Sequence, residues 1–181
     1  MTGMQAPDAG EEVRTRYAAV RRQIAGDAPV TVLHIGAAQT AVATGRGAQA
    51  DAVLLLDIGW QRTAARHFAG VPPTAIELEE AIAVVEDEVT RARDVITPAS
   101  GLFSTDACVG DIARAAGVGD GTAVTLPLDA VEQTFGRLTS LAHGAPASHA
   151  GLPADASFAA ALLILREFMH HLHFQAITVP A

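Results

Sequence analysis

Between Val30 and Ile58 the chain sets three short apolar runs between glycine-bearing turns, and that spacing leaves little room for anything but a sheet. Val30 to Ile35 is rich in β-branched residues and reads as a buried strand. Gly36 with Ala37 and Ala38 makes a tight turn into a second strand, Thr40 to Thr44. Gly45-Arg46-Gly47 turns the chain again, and Ala52 to Ile58 reads as a third strand. Links this short cannot house a crossover helix, so the three strands are expected to form an antiparallel meander.

On either side the apolar period changes from sheet to helix. Val13, Tyr17, Val20 and Ile24 recur at helical spacing in Glu11 to Ala25, ahead of a Gly26-Asp27-Ala28-Pro29 stop. After Pro72-Pro73, Thr74 and Glu77 form a capping box, followed by Leu78, Ile82, Val85 and Val89 on one face and an acidic opposite face. A short strand is expected at Leu102 to Ser104 and a short helix at Ala107 to Ala116, closed by Gly117. Two more helices are marked by Val131, Phe135, Leu138 and Ala142, then by Phe158, Leu162, Leu165, Met169 and Leu172, with a Gly/Pro/Ala/Ser loop at 143–153 between them. Ala176 to Val179 reads as a last strand. A three-stranded meander followed by alternating helices and strands predicts an α/β fold of the RNase H/actin-like (ASKHA) layout. Residues 1–10 read as a disordered tail and 11–181 as one domain, with 11–26 a hinge-like helix at its start.

Bulk properties exclude some functions. A net charge of −8 leaves no basic stripe for nucleic acid, the longest cluster being Arg14, Arg16, Arg21 and Arg22. The richest apolar window, Phe158 to Leu172, is broken by Arg166, Glu167 and histidines, so no membrane span is expected. One cysteine, Cys108, and an N-terminus without a basic-then-apolar pattern point to the cytoplasm.

Four segments carry a resemblance. Gly10-Glu11-Glu12-Val13-Arg14 opens a helix, His34-Ile35-Gly36-Ala37-Ala38-Gln39-Thr40 joins two strands, and Val53 to Gly59 is the third strand. Gly151-Leu152-Pro153-Ala154-Asp155-Ala156 is followed by Ala161 to Ile164 and Ile177-Thr178-Val179. In that order these resemble the exopolyphosphatase/guanosine-pentaphosphate phosphohydrolase (Ppx/GppA) family, specifically its second, actin-like domain. The resemblance implies cleavage of a phosphoanhydride in polyphosphate or a nucleotide, with Mg²⁺ as cofactor in an active member. It implies Glu12 as general base, His34 at the metal- or water-holding position, Gly36, Ala37, Ala38, Gln39 and Thr40 as a phosphate loop, and Thr105 in a second loop. It also implies a first domain as the other wall of the cleft, of which only the last helix falls in this sequence, and a further helix after Val179.

The departures from the pattern bear on that chemistry. The family carries aspartate where this chain has His34, and glycines where it has Ala37 and Ala38, whose methyl groups stand where phosphate oxygens would approach. Ser104-Thr105-Asp106-Ala107 has no glycine and brings a carboxylate toward the anion. The family's Arg-Ala-Asp is Ala154 where the arginine should be. The expectation is therefore a catalytically degenerate binding or regulatory module. Two alternatives stay open: an active hydrolase whose cleft a homodimer completes, Glu12 of one copy facing residues 34–40 of the other, and a scaffold whose missing domain a partner protein supplies. Plainer readings stand beside these. Glu12 is also an ordinary helix-surface acid, His34 a hydrogen-bonded core histidine, and Asp57-Ile58-Gly59 a second candidate loop. His170, His171 and His173 cannot all face one way on a helix, and no carboxylate is spaced to join them, so no metal set is expected.

Overall fold

The computed structural model describes residues 8–119 and 121–181; of the expected tail, residues 1–7 lie outside them. In chain order the elements are α1 (Ala9–Gln23), β1 (Val30–Ile35), β2 (Thr40–Gly45), β3 (Ala52–Leu56), α2 (Trp60–His67), α3 (Ala75–Thr90), β4 (Gly101–Phe103), α4 (Ala107–Ala115), β5 (Val124–Pro127), α5 (Leu128–Ala142), α6 (Ala156–His171) and β6 (Ala176–Val179), with a short 3-10 turn at Ala147–His149. The strands form one six-stranded sheet in the order β3-β2-β1-β4-β6-β5. The expected meander is there: β1 pairs antiparallel with β2 and β2 with β3. Beyond it β4 runs parallel to β1 and β6 parallel to β4, while β5 lies antiparallel at the far edge.

Two elements escaped the sequence reading. α2 follows the Gly59 turn, where the apolar period is weak: only Thr63 and Ala64 of its residues are buried. β5 is four residues with a single fully buried side chain, Leu126, which is too little alternation to register. α1 begins at Ala9, so Ala9 and Gly10 belong to it rather than to a tail.

β1 and β2 are buried on both faces, which is why they read as unbroken runs. α1 alone covers one face of the meander, with Val13, Tyr17 and Val20 against Val30, Val32, Ala41 and Ala43. The Tyr17 hydroxyl donates to the Gly47 carbonyl at 3.0 Å and pins the helix to the β2–β3 turn. The other face carries α2 to α6. α6 is its centre: Phe158 to Leu165, Phe168 and Met169 are all buried, as expected of a helix apolar all round. At the end of the sheet where β1 begins, the buried Thr44 hydroxyl accepts from the Thr97 N–H at 3.0 Å and lies 2.9 Å from that of Thr31. These bonds tie the loop before β4 to β1 and β2.

Candidate functional site

His34 and Glu12 meet where β1 ends under the first turns of α1. Alternation along β1 turns Val30, Val32 and His34 toward α1 while Leu33 and Ile35 enter the main core. Glu12 stands one residue before Val13, whose side chain anchors α1 on the sheet. The Glu12 Oε2 atom comes to 3.5 Å from His34 Nε2. Two residues that the sequence reading had not joined to this pair complete the cluster. Asp106, next to the start of α4, bonds His34 Nδ1 through Oδ1 at 2.8 Å and accepts the Ile35 N–H on Oδ2 at 2.7 Å. Arg16, one helical turn after Glu12, donates to Glu12 Oε1 at 2.7 Å and lies 3.0 Å from Asp106 Oδ1. The same guanidinium donates to the Thr105 hydroxyl at 2.6 Å.

The Asp106 side chain is 6% exposed, that of Arg16 26% and that of Glu12 35%, so the cluster grades from buried to half-open. It holds two carboxylates, one guanidinium and one imidazole, with each charged group in contact with one of opposite sign. The signal for Arg16 was its i+4 spacing from Glu12. Asp106 carried no comparable signal, because only the parallel β1–β4 pairing brings it beneath His34.

The expected phosphate loop is a closed turn. The Gly36 N–H is spent on the Gln39 carbonyl at 3.0 Å. The Gly36 carbonyl accepts the Trp60 N–H, and the Ala37 carbonyl accepts those of Gln61 and Arg62, each at 3.0 Å. Amides that could have received an anion at the start of α2 are thus taken by the turn itself. This explains two glycines: a Cβ on Gly36 would sit 2.7 Å from the Gln39 carbonyl, and one on Gly59 2.5 Å from that of Ala37. Ala38 is exposed, Gln39 donates to Asp57 Oδ1 at 3.0 Å, and Thr40 is buried with a hydroxyl that finds no partner among the described residues. The loop 57–59, the second candidate, therefore backs the first one and the two form a single knot.

Mg²⁺, the cofactor the resemblance implies, does not fit this arrangement. Both Asp106 oxygens are already occupied, and the Arg16 guanidinium stands between the two carboxylates where a metal would sit. Among the described residues no group of three His, Cys, Asp or Glu side chains is placed to hold a metal ion.

Two other features bear on the sequence reading. The histidines of α6 do have carboxylate neighbours: His171 Nε2 lies 3.0 Å from Glu167 Oε2, one turn back, and His170 Nδ1 lies 3.1 Å from Glu132 on α5. Glu167 is fully buried and also bonds Arg166 at 2.6 Å, so these groups make an ion network between helices. Cys108 lines a cavity of about 660 Å³ with Trp60, Arg114, Asp155 and Phe158. Burial pushes its thiol up to about 12, with the Asp106 charge adding to the shift, so it is a neutral packing group.

The order of strands, the helix over the meander and the acid at its start converge on the layout that the sequence motifs suggested. The Ppx/GppA phosphatase family model matches residues 8–180. The chain belongs to the Ppx/GppA phosphatase family. An Aquifex aeolicus family member superposes with a TM-score of 0.74 at 17% identity, over 94% of this chain and 58% of that one. An exopolyphosphatase-like protein gives 0.73 at 16%, over 97% and 64%, and an exopolyphosphatase from Cytophaga hutchinsonii 0.63 at 15%, over 96% and 59%. The Ppx/GppA chain described here thus spans less than two thirds of each of these relatives. At such identities the likeness establishes the fold, which is the actin-like α/β fold expected. No curated protein matches the chain. Among the described residues no helix is long and apolar enough to cross a membrane.

Proposed function

We propose that this chain is a non-hydrolytic member of its family, a binding or regulatory module built on the remains of a phosphate cleft. The observation that carries the reading is the self-matched cluster at Glu12, Arg16, His34 and Asp106. Phosphoanhydride cleavage requires a base free to take a proton from water, and donors or a metal aimed at the phosphate oxygens. Here one Glu12 oxygen is held by Arg16, the guanidinium is spent on Glu12, Asp106 and Thr105, and the first turn spends the Gly36 amide and the Gly36 and Ala37 carbonyls internally. Within the cluster the one guanidinium is committed, and the Asp106 charge opposes an anion.

Orthophosphate release from polyphosphate or guanosine pentaphosphate with Mg²⁺ tests the reading. The expected rate is that of the buffer alone. Turnover that Glu12→Gln abolishes would overturn it.

One observation favours the second reading, an active hydrolase. Glu12 reaches His34 within a single copy, with Oε2 unspent on Arg16 and 3.5 Å from the ring. A base at that position needs no partner copy to be brought beside residue 34. In that case Glu12→Gln and His34→Ala would both remove activity, while separating a dimer would not.

A further inference from the structure

The two edges of the sheet are protected unequally. β5 is short and ends at Pro127, which has no N–H to offer a neighbouring strand. β3 is Ala52-Val53-Leu54-Leu55-Leu56, with no proline, no charge and, among the described residues, no strand beyond it. Its residues 52–55 are only half-buried. Natural edges of this kind are normally blunted, because unpaired backbone groups beside apolar side chains invite another strand. Beside this edge lies a surface recess lined by Asp8, Gly10, Glu11 and Arg14 of the α1 start together with Val53 and Leu55. Glu11 and Arg14 are exposed and make no ion pair among the described residues, although Glu12 and Arg16 beside them do.

α1 runs antiparallel to β3. Its start lies by His34 at the end of β1, and Tyr17 reaches the turn that precedes β3. An antiparallel pairing of β3 with a second β3, centred on Leu54, sets Leu54 against its own copy and Val53 against Leu55, all apolar. Because Glu11 and Arg14 both line the recess beside Val53 and Leu55, a two-fold axis through Leu54 brings Glu11 of one copy toward Arg14 of the other, twice. An isologous contact must be self-complementary in this way. We propose that the free edge of β3 and the outer flank of α1 join two copies of this chain into a continuous sheet. The occupant is a second copy because one pairing register satisfies the backbone, the apolar row and both unpaired charges together.

Sedimentation velocity over a wide concentration series tests this on the whole chain. The wild type is expected to show a reversible monomer–dimer equilibrium. Arg14→Glu, a change at an exposed position, should weaken the dimer by at least about tenfold, since like charges then face each other twice. The double exchange Glu11→Arg with Arg14→Glu should restore it. Leu55→Lys should also dissociate it; if circular dichroism shows that this variant does not fold, the charge exchange decides alone. A wild type that stays monomeric throughout overturns the proposal. So does a dimer indifferent to Arg14→Glu, or one that the double exchange fails to restore. None of these outcomes depends on whether the protein hydrolyses phosphoanhydrides.

Discussion

Replacing Arg16 by methionine removes the only guanidinium in the Glu12–His34–Asp106 cluster while keeping most of its apolar stem. Its contact with Asp106 is the costly loss. A hydrogen bond to a charged group is worth about 1.5–3 kcal/mol. The Asp106 carboxylate is 6% exposed but keeps His34 Nδ1 at 2.8 Å and the Ile35 N–H at 2.7 Å, which places the loss in the lower half of that range. The pair with Glu12 is half-open to solvent and contributes about 0.3–0.5 kcal/mol. Together these give about 2 kcal/mol, equivalent to a Tm lower by about 4–8 °C in a chain of this size. Urea denaturation followed by circular dichroism measures it, with Glu12→Gln as the companion, which should cost about 0.5 kcal/mol or less. A loss below about 0.5 kcal/mol for Arg16→Met would refute the reasoning. The arginine would then not be structurally committed, and would be free for a ligand.

Other consequences can be measured on the same material. Cys108, whose thiol burial pushes up to about 12, should react with iodoacetamide at pH 8 far more slowly in the folded protein than in urea; equal rates would contradict its packing role. Thr44→Val leaves the Thr97 N–H without its acceptor and should cost about 1–3 kcal/mol in urea denaturation. Leu162→Ala empties part of the fully buried centre of α6 and should cost about 2–5 kcal/mol; a loss near zero would mean α6 is not the core helix. The capping bonds from Thr74 and Ala69 lower the Glu77 pKa in the fold, so its contribution is whole above about 4.3, the unfolded value, and fades as pH falls through the lower folded one. Glu77→Gln should therefore be less stable than wild type at neutral pH, and the two should converge in acid.

Much of the fold was legible in local pattern. The meander showed because glycine turns and two-face burial leave a signature within a few residues. α3 showed because Thr74 and Glu77 form both halves of a capping box, which the structure contains. α2 and β5 were missed for the opposite reason: each is short and buries too few side chains to set a period. At the site, Glu12 and His34 were reachable through motif resemblance, and their 3.5 Å approach follows from helix and strand phase. Asp106 was seen as an obstacle to an anion, but its bonds to His34 and Ile35 depend on a parallel pairing across some seventy residues of chain, which no local pattern encodes. Similarly, His171 and Glu167 sit at a spacing the sequence displays, yet what decides their role is the complete burial of Glu167.

The claim that the cleft of this family member no longer cleaves phosphoanhydrides is tested most directly by ³¹P NMR of guanosine pentaphosphate mixed with Mg²⁺ and an equal amount of protein. Under those single-turnover conditions even a slow enzyme would reveal itself. The account predicts that the terminal phosphate resonance keeps its full intensity with no orthophosphate signal above the protein-free control. Orthophosphate growing at the expense of that resonance, and stopped by Glu12→Gln, would contradict it.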